Sequence, residues 1–308
     1  MVIANPIYDV VFKRMMENDK VAKFFIGTLL EQTIENVEVK PQEFTYTDEL
    51  AGLAVFRLDF IATIKTDSGE LKKVLIEIQK AKNEIDLMRF RNYLAEQYKK
   101  EDKINNEKVI LPITTIYILG FKLPEIETPC LKVERNYKDL TNKVVLVTKS
   151  DFVEKLTHDS FIVQVERITN RYQTRLDKLL SVFEQTNFVD DKKIIKEFDH
   201  DTNLEEVKIM TDILHYSGTN TVEKKKIEIE QEAWRTVDAL TKGFRAKAEK
   251  YQKELKVAEQ ALTEKNQALT EKNQALTEKD QALTEKDQAL TEKDAMIAEL
   301  LRKLDEKK

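Results

Sequence analysis

Between Tyr8 and Leu30 the residues Val11, Met15, Phe24, Phe25 and Leu29 recur at roughly three- and four-residue spacings after Pro6. That pattern predicts a helix, which Asn18-Asp19 can divide in two. From Ala54 to Ile64 apolar and polar residues alternate, the period of a half-buried strand, and Val74 to Ile78 reads as a second strand. Asp67-Ser68-Gly69 between them has the chemistry of a hairpin turn. Asn83 to Lys100 predicts a helix with Leu87, Met88, Leu94, Ala95 and Tyr98 on its buried side, and Ile113–Gly120 and Lys143–Thr148 predict further strands. The order helix, hairpin, helix, strand, strand predicts an α/β or α+β domain over residues 1–150.

After Asp151 the strand signals fade, and residues 151–220 read as a helical region joined by polar turns such as Phe198-Asp199-His200-Asp201. Ser217-Gly218-Thr219-Asn220 is the clearest break. From Thr221 to Lys308 the chain is charged, nearly free of Gly and Pro, and helical in character. Within this arm Leu255, Leu262, Leu269, Leu276, Leu283 and Leu290, then Ile297 and Leu304, recur every seven residues. With Leu at heptad position d, position a holds Asn266, Asn273, Asp280, Asp287 and Asp294; with Leu at a, position d holds lysines. Either register leaves the second seam position polar, so self-association through the Leu stripe, a solvated helix and docking onto another surface are all open readings. A homo-oligomer formed through the heptad arm is thus one partner that the repeat allows.

Composition narrows the class. The chain has 308 residues, 41% hydrophobic and 35% charged, with the charge heaviest in the last third, which suits one globular domain plus an extended arm. A net charge of −5 argues against a globally basic nucleic-acid binder and leaves room for a local patch. One cysteine, Cys130, makes no intrachain disulfide, and Met1 to Pro6 lacks a basic-then-apolar targeting pattern. The longest mostly apolar run, Ile110 to Phe121, is too short to cross a bilayer. These features predict a cytoplasmic protein with no membrane partner. His158, His200 and His215 have no metal-ligand spacing, and neither they nor Cys130 are expected to be catalytic.

Two carboxylates interrupt apolar strands: Asp59 in Phe56-Arg57-Leu58-Asp59-Phe60, and Glu77 in Leu75-Ile76-Glu77-Ile78-Gln79-Lys80. Strand alternation puts Glu77 and Gln79 on one face and Ile76, Ile78 and Lys80 on the other. If the two strands pair as a hairpin, Asp59 can lie across from Glu77. Two carboxylates and a strand carbonyl suit Mg²⁺, a hard ion that prefers oxygen and keeps several waters. Such an ion activates water and neutralises charge on a phosphate. Gln79 could orient the attacking water.

On these residues the chain resembles the PD-(D/E)xK nuclease superfamily, specifically the bacterial recombination-promoting nuclease and putative transposase family. The resemblance spans about residues 5–150. It rests on Tyr8-Asp9-Val10-Val11-Phe12-Lys13, on Asp59, on Glu77-Ile78-Gln79, and on Arg89-Phe90-Arg91-Asn92-Tyr93. It implies a restriction-endonuclease-like α/β core, followed here by the helical middle region and the long heptad-repeat helix. It further implies that Asp59 and Glu77 bind Mg²⁺, with Mn²⁺ as a substitute, and that Gln79 stands where the superfamily usually has lysine, a replacement common in this family. Asp9 would be an additional acidic member, and Arg89, Arg91 and Tyr93 would contact phosphate or support the site. The implied activity is that of a metal-dependent endodeoxyribonuclease acting on DNA, linked to recombination or mobile DNA. The other reading is an inactive nuclease-fold protein that binds nucleic acid or acts as a scaffold through its arm.

Overall fold

The computed structural model describes residues 1–48, 53–80 and 84–305, and within them the side chains outside 41–59, 84–86, 89, 237, 241, 244, 245 and 304–305. In chain order the elements are β1 (Val2–Ala4), α1 (Asp9–Met16), α2 (Asp19–Leu30), β2 (Ile34–Asp48), β3 (Leu53–Thr66), β4 (Leu71–Gln79) and α3 (Glu84–Lys99). A short hairpin follows, β5 (Asp102–Ile104) and β6 (Glu107–Val109), then β7 (Ile113–Leu119), β8 (Cys130–Val133) and the two-residue pair β9 (Tyr137–Lys138) and β10 (Val145–Leu146). Then come α4 (Asp151–Leu156), β11 (Asp159–Gln164), α5 (Arg175–Ser181), β12 (Ile195–Glu197), α6 (Glu205–Thr219) and α7 (Thr221–Asp305). The chain divides into two units, Met1–Arg235 and Thr236–Lys308.

Asn18 separates α1 from α2 because its extended backbone (φ −86°, ψ 116°) leaves the helix while its side chain accepts the Val21 N–H, capping the second helix. Asn220 does the same between α6 and α7, accepting from the N–H groups of Val222 (3.0 Å) and Glu223 (3.1 Å). Gly218 sits two residues earlier for a packing reason. A Cβ there would meet the Ala4 nitrogen at 2.9 Å, so only glycine lets α6 approach β1.

The first unit is mixed α/β around a six-stranded sheet in the order β2-β3-β4-β7-β11-β8. β2–β3 and β3–β4 are antiparallel, β4–β7 and β7–β11 are parallel, and β8 returns antiparallel at the far edge. Alternation divides the side chains between two layers. Phe60, Ala62, Ile64, Val74, Ile76, Ile78, Ile116 and Ile118 join the large core with α1 and α2, while Ile61, Leu75 and Ile113 face Phe90 and Tyr93 of α3. The large core is tied together by edge-on aromatic contacts of Phe12 with Phe25 (5.4 Å) and Phe60 (5.0 Å).

Several expectations need correction. The region 151–220 is not wholly helical: β11 joins the central sheet parallel to β7, and β12 pairs with β1. Its short Phe161-Ile162-Val163 run has the length of a buried strand, and it is the pairing with β7 that makes it one. On α3 the buried stripe is Phe90, Tyr93 and Gln97 with Leu94 beside it, whereas Leu87 and Met88 are half exposed and Ala95 and Tyr98 lie outside. A helix lying flat on a sheet buries a narrow i, i+3, i+4, i+7 stripe, and the aromatic pair claims it. The strand expected over Lys143–Thr148 shrinks to Val145–Leu146. β2 carries Pro41, tolerated on a sheet edge.

Candidate functional site

The site is set by the pleat of β4. Val74, Ile76 and Ile78 go into the large core, so Glu77 shares the opposite layer with Leu75 and is only 3% exposed. In the parallel β4–β7 register Glu77 stands against Tyr117 and Gln79 against Leu119. Tyr117 packs on the small cluster, its ring 4.5 Å from that of Phe90. Burial raises the Tyr117 hydroxyl well above the ordinary tyrosine range; a hydrogen bond with Thr115 opposes this, and the negative charge of Glu77 adds to it. The strand end is pinned by Gly120, whose N–H donates to the Gln79 carbonyl (2.8 Å). A Cβ on Gly120 would meet the Lys80 carbonyl oxygen at 2.9 Å.

The residues singled out from sequence fall into three groups. Glu77 and the half-buried Gln79 share a strand face. Asp59 lies on β3, whose register with β4 runs from Lys65↔Leu71 to Phe60↔Ile76; its side chain, like that of Arg89, is outside the described residues. On α3, Arg91 is exposed, while Tyr93 is 2% exposed and packs near Phe90, which suits support of the site. Asp9 begins α1, whose apolar residues belong to the layer opposite Glu77. Among the described residues, no group of three or more His, Cys, Asp or Glu side chains could hold a metal ion.

Lys80 takes the other face, as alternation requires, and meets residues far along the chain. Its ammonium pairs with the Glu230 carboxylate of α7 and lies 4.3 Å from the centre of the Tyr8 ring and 4.8 Å from that of Trp234. The same carboxylate accepts the backbone N–H groups of Asp9 (2.9 Å) and Val10 (3.1 Å), placing negative charge at the N-terminus of α1. Glu230 thereby joins the end of β4 to the start of α1. The facing of Lys80 was legible from strand alternation, but its partner 150 residues away carried no local signal.

A second polar cluster lies around Glu184, which accepts from Tyr172 (2.9 Å) and lies 3.0 Å from His200 Nε2. Lys196, 2% exposed, donates to the Glu184 carbonyl, and burial pulls its ammonium down to about 7 against the opposing charge of Glu184. The remaining histidines are engaged elsewhere, His158 with Tyr98 (2.8 Å) and His215 with the Val2 carbonyl (2.6 Å). Burial pushes the Cys130 thiol up to about 11, away from the reactive range. Among the described residues, no helix is long and apolar enough to cross a membrane.

Comparison with protein-family models, with curated proteins and with solved structures finds no match.

Proposed function

We propose that the first unit is a metal-dependent endodeoxyribonuclease that hydrolyses DNA phosphodiester bonds, with Asp59, Glu77 and Gln79 as its working residues. The observation that carries this reading is Glu77, a carboxylate 3% exposed on a strand in the middle of the sheet. Carboxylates are rarely buried this deeply, and ionisable groups held in such settings concentrate at functional sites. The surrounding order supports the reading. The strands β2, β3 and β4 pair antiparallel, and after α3 and the β5–β6 hairpin the chain returns as β7 parallel to β4, a mixed α/β sheet compatible with this reading. The β3–β4 pairing ends at Phe60↔Ile76, the residues next to Asp59 and Glu77 in their strands.

The donor set fits Mg²⁺ by its chemistry: the carboxylates of Asp59 and Glu77 and nearby strand carbonyls are hard oxygen donors, with Mn²⁺ as the natural substitute. When bound, the ion supplies charge neutralisation at the phosphate and an acidified water. Glu77 contributes a carboxylate that is 3% exposed and stands against Tyr117 in the parallel register, where charge is weakly screened. Gln79, on the same face, orients water through its amide and carries no proton to the leaving oxygen. Arg91 is an exposed cation on α3 available to a DNA phosphate.

The test is nicking of supercoiled plasmid with Mg²⁺ or Mn²⁺ by the wild type, Asp59→Ala and Glu77→Ala. Metal-dependent cutting lost in both variants is expected. A wild type that binds DNA yet cuts it with neither metal would overturn the nuclease reading in favour of a nucleic-acid-binding or scaffolding role.

A further inference from the structure

We infer that the arm pairs with the arm of a second copy of this chain, parallel and in register, as a two-stranded coiled coil. Within Thr236–Lys308, Leu255, Leu262, Leu269, Leu276, Leu283, Leu290 and Ile297 are each between 53% and 63% exposed. At on the order of 100 Å² of apolar surface per side chain, seven such layers from two chains bury roughly 1,400 Å². That lies inside the approximately 1,200–2,000 Å² of a stable interface. The occupant must carry apolar residues at the same seven-residue spacing along this whole length, and a second arm does.

The polar residues choose the orientation. In a parallel pair each a residue meets its own counterpart and enters a hole walled on one side by the partner's g residue. Asn266 and Asn273 then pair with themselves, an arrangement that favours parallel dimers. The aspartates at 280, 287 and 294 each meet a lysine: Asp280 the partner's Lys279, Asp287 the partner's Lys286, and Asp294 the partner's Lys293. On their own helix these lysines have no acidic residue at the spacing that pairs side chains: only Ala and Leu, or Met296 and Ile297 for Lys293, lie three and four residues away. Each Asp layer therefore gains a lysine partner across the seam only when a second chain is present. An antiparallel pair would instead set the lysine rows against each other and Leu layers against Asn or Asp layers. At the flanking e position Thr263, Thr270, Thr277, Thr284 and Thr291 donate their hydroxyls to the carbonyl four residues back at 2.8–2.9 Å, which leaves their methyl groups to border the seam.

The full-length chain in sedimentation equilibrium should show twice its 36.0 kDa. Leu269→Lys with Leu276→Lys should return it to the single-chain mass, and Lys279→Glu, Lys286→Glu and Lys293→Glu together should weaken the dimer at least tenfold. Orientation is read by Asn273→Cys in a Cys130→Ser background. Self-meeting a positions come within disulfide reach, so oxidation should give covalent dimer, and Glu271→Cys on the outer face should not. A mass of one or three chains at the highest soluble concentration, or crosslinking no better at 273 than at 271, overturns the inference.

Discussion

In the first unit Lys80 and Glu230 meet with side-chain exposures of 12% and 14%, between the rings of Tyr8 and Trp234. In the arm Lys265, Lys272, Lys279 and Lys286 have only Ala and Leu three and four residues away. The two regions use the same residue types under opposite rules. In the first unit a charge is placed by neighbours distant in sequence and is expensive to strand; in the arm it is placed by a period and, on the dimer inferred above, would gain a partner only from another chain. Substitutions should therefore act locally and strongly in the first unit, and through association in the arm.

The largest expected difference is at the sheet. Glu77→Gln keeps the volume of the side chain and removes its charge, so it should lower metal-dependent DNA cleavage by at least about 100-fold, the scale of losing one electrostatic contact in a reacting site. Circular dichroism should show an unchanged fold. Leu269→Lys should leave the first unit's stability unaltered, because that residue belongs to the repeat of the second unit and is 58% exposed. Equal losses from both substitutions would erase the distinction between the regions.

Glu230→Ala comes next. Removing it strands the Lys80 ammonium and two N–H groups at the start of α1, and breaking a largely buried pair in this way destabilises by about 3–5 kcal/mol. Denaturant unfolding should report a loss on that scale, whereas Lys265→Ala in the arm should cause no measurable change in the same transition. A loss well under 1 kcal/mol at Glu230 would mean that the pair is solvated and that α7 starts outside the folded unit.

A pH titration separates the regions more gently. The Lys196 ammonium is drawn from its ordinary 10.5 to about 7 by burial. Between those values the unfolded chain holds the proton more tightly than the folded one, so this group disfavours the fold, increasingly as pH falls toward 7. Stability should rise with pH from about 7 to 10, by at most about 1.4 kcal/mol per pH unit. Above about 10 the tyrosines reverse the trend, since Tyr8, Tyr117 and Tyr172 have raised values and the unfolded chain ionises first. Lys196→Met should flatten the rising limb and leave the alkaline fall intact, as followed by thermal unfolding at each pH.

What could be read from the sequence follows the same division. The heptad of the arm, the break at Asn18-Asp19, the β3–β4 hairpin and the shared facing of Glu77 and Gln79 are written in neighbours a few residues apart, where period and turn chemistry act. The partnership of Lys80 with Glu230, the place of Tyr117 beside Glu77 and the recruitment of Asp159–Gln164 into the sheet depend on registers set across the fold. The buried face of α3 was misjudged because aliphatic Leu87 and Met88 score as core residues while the sheet accepts the larger rings of Phe90 and Tyr93.

The smallest expected effect tests the surface of α3. Phe90 is turned onto Tyr117, while Arg91, one residue on, is exposed. A guanidinium there can engage a DNA phosphate without disturbing the packing that holds Glu77. A phosphate contact contributes affinity without sequence preference and releases condensed counterions, so Arg91→Ala should weaken DNA binding a few-fold and reduce the slope of log K against log salt by about 1. Lys272→Ala, an equal loss of charge in the arm, should leave the slope unchanged. Measuring binding with Glu77→Gln as the common background keeps cleavage out of the comparison. If the slope falls for Lys272→Ala and not for Arg91→Ala, the nucleic acid is held by the arm, and α3 serves packing alone.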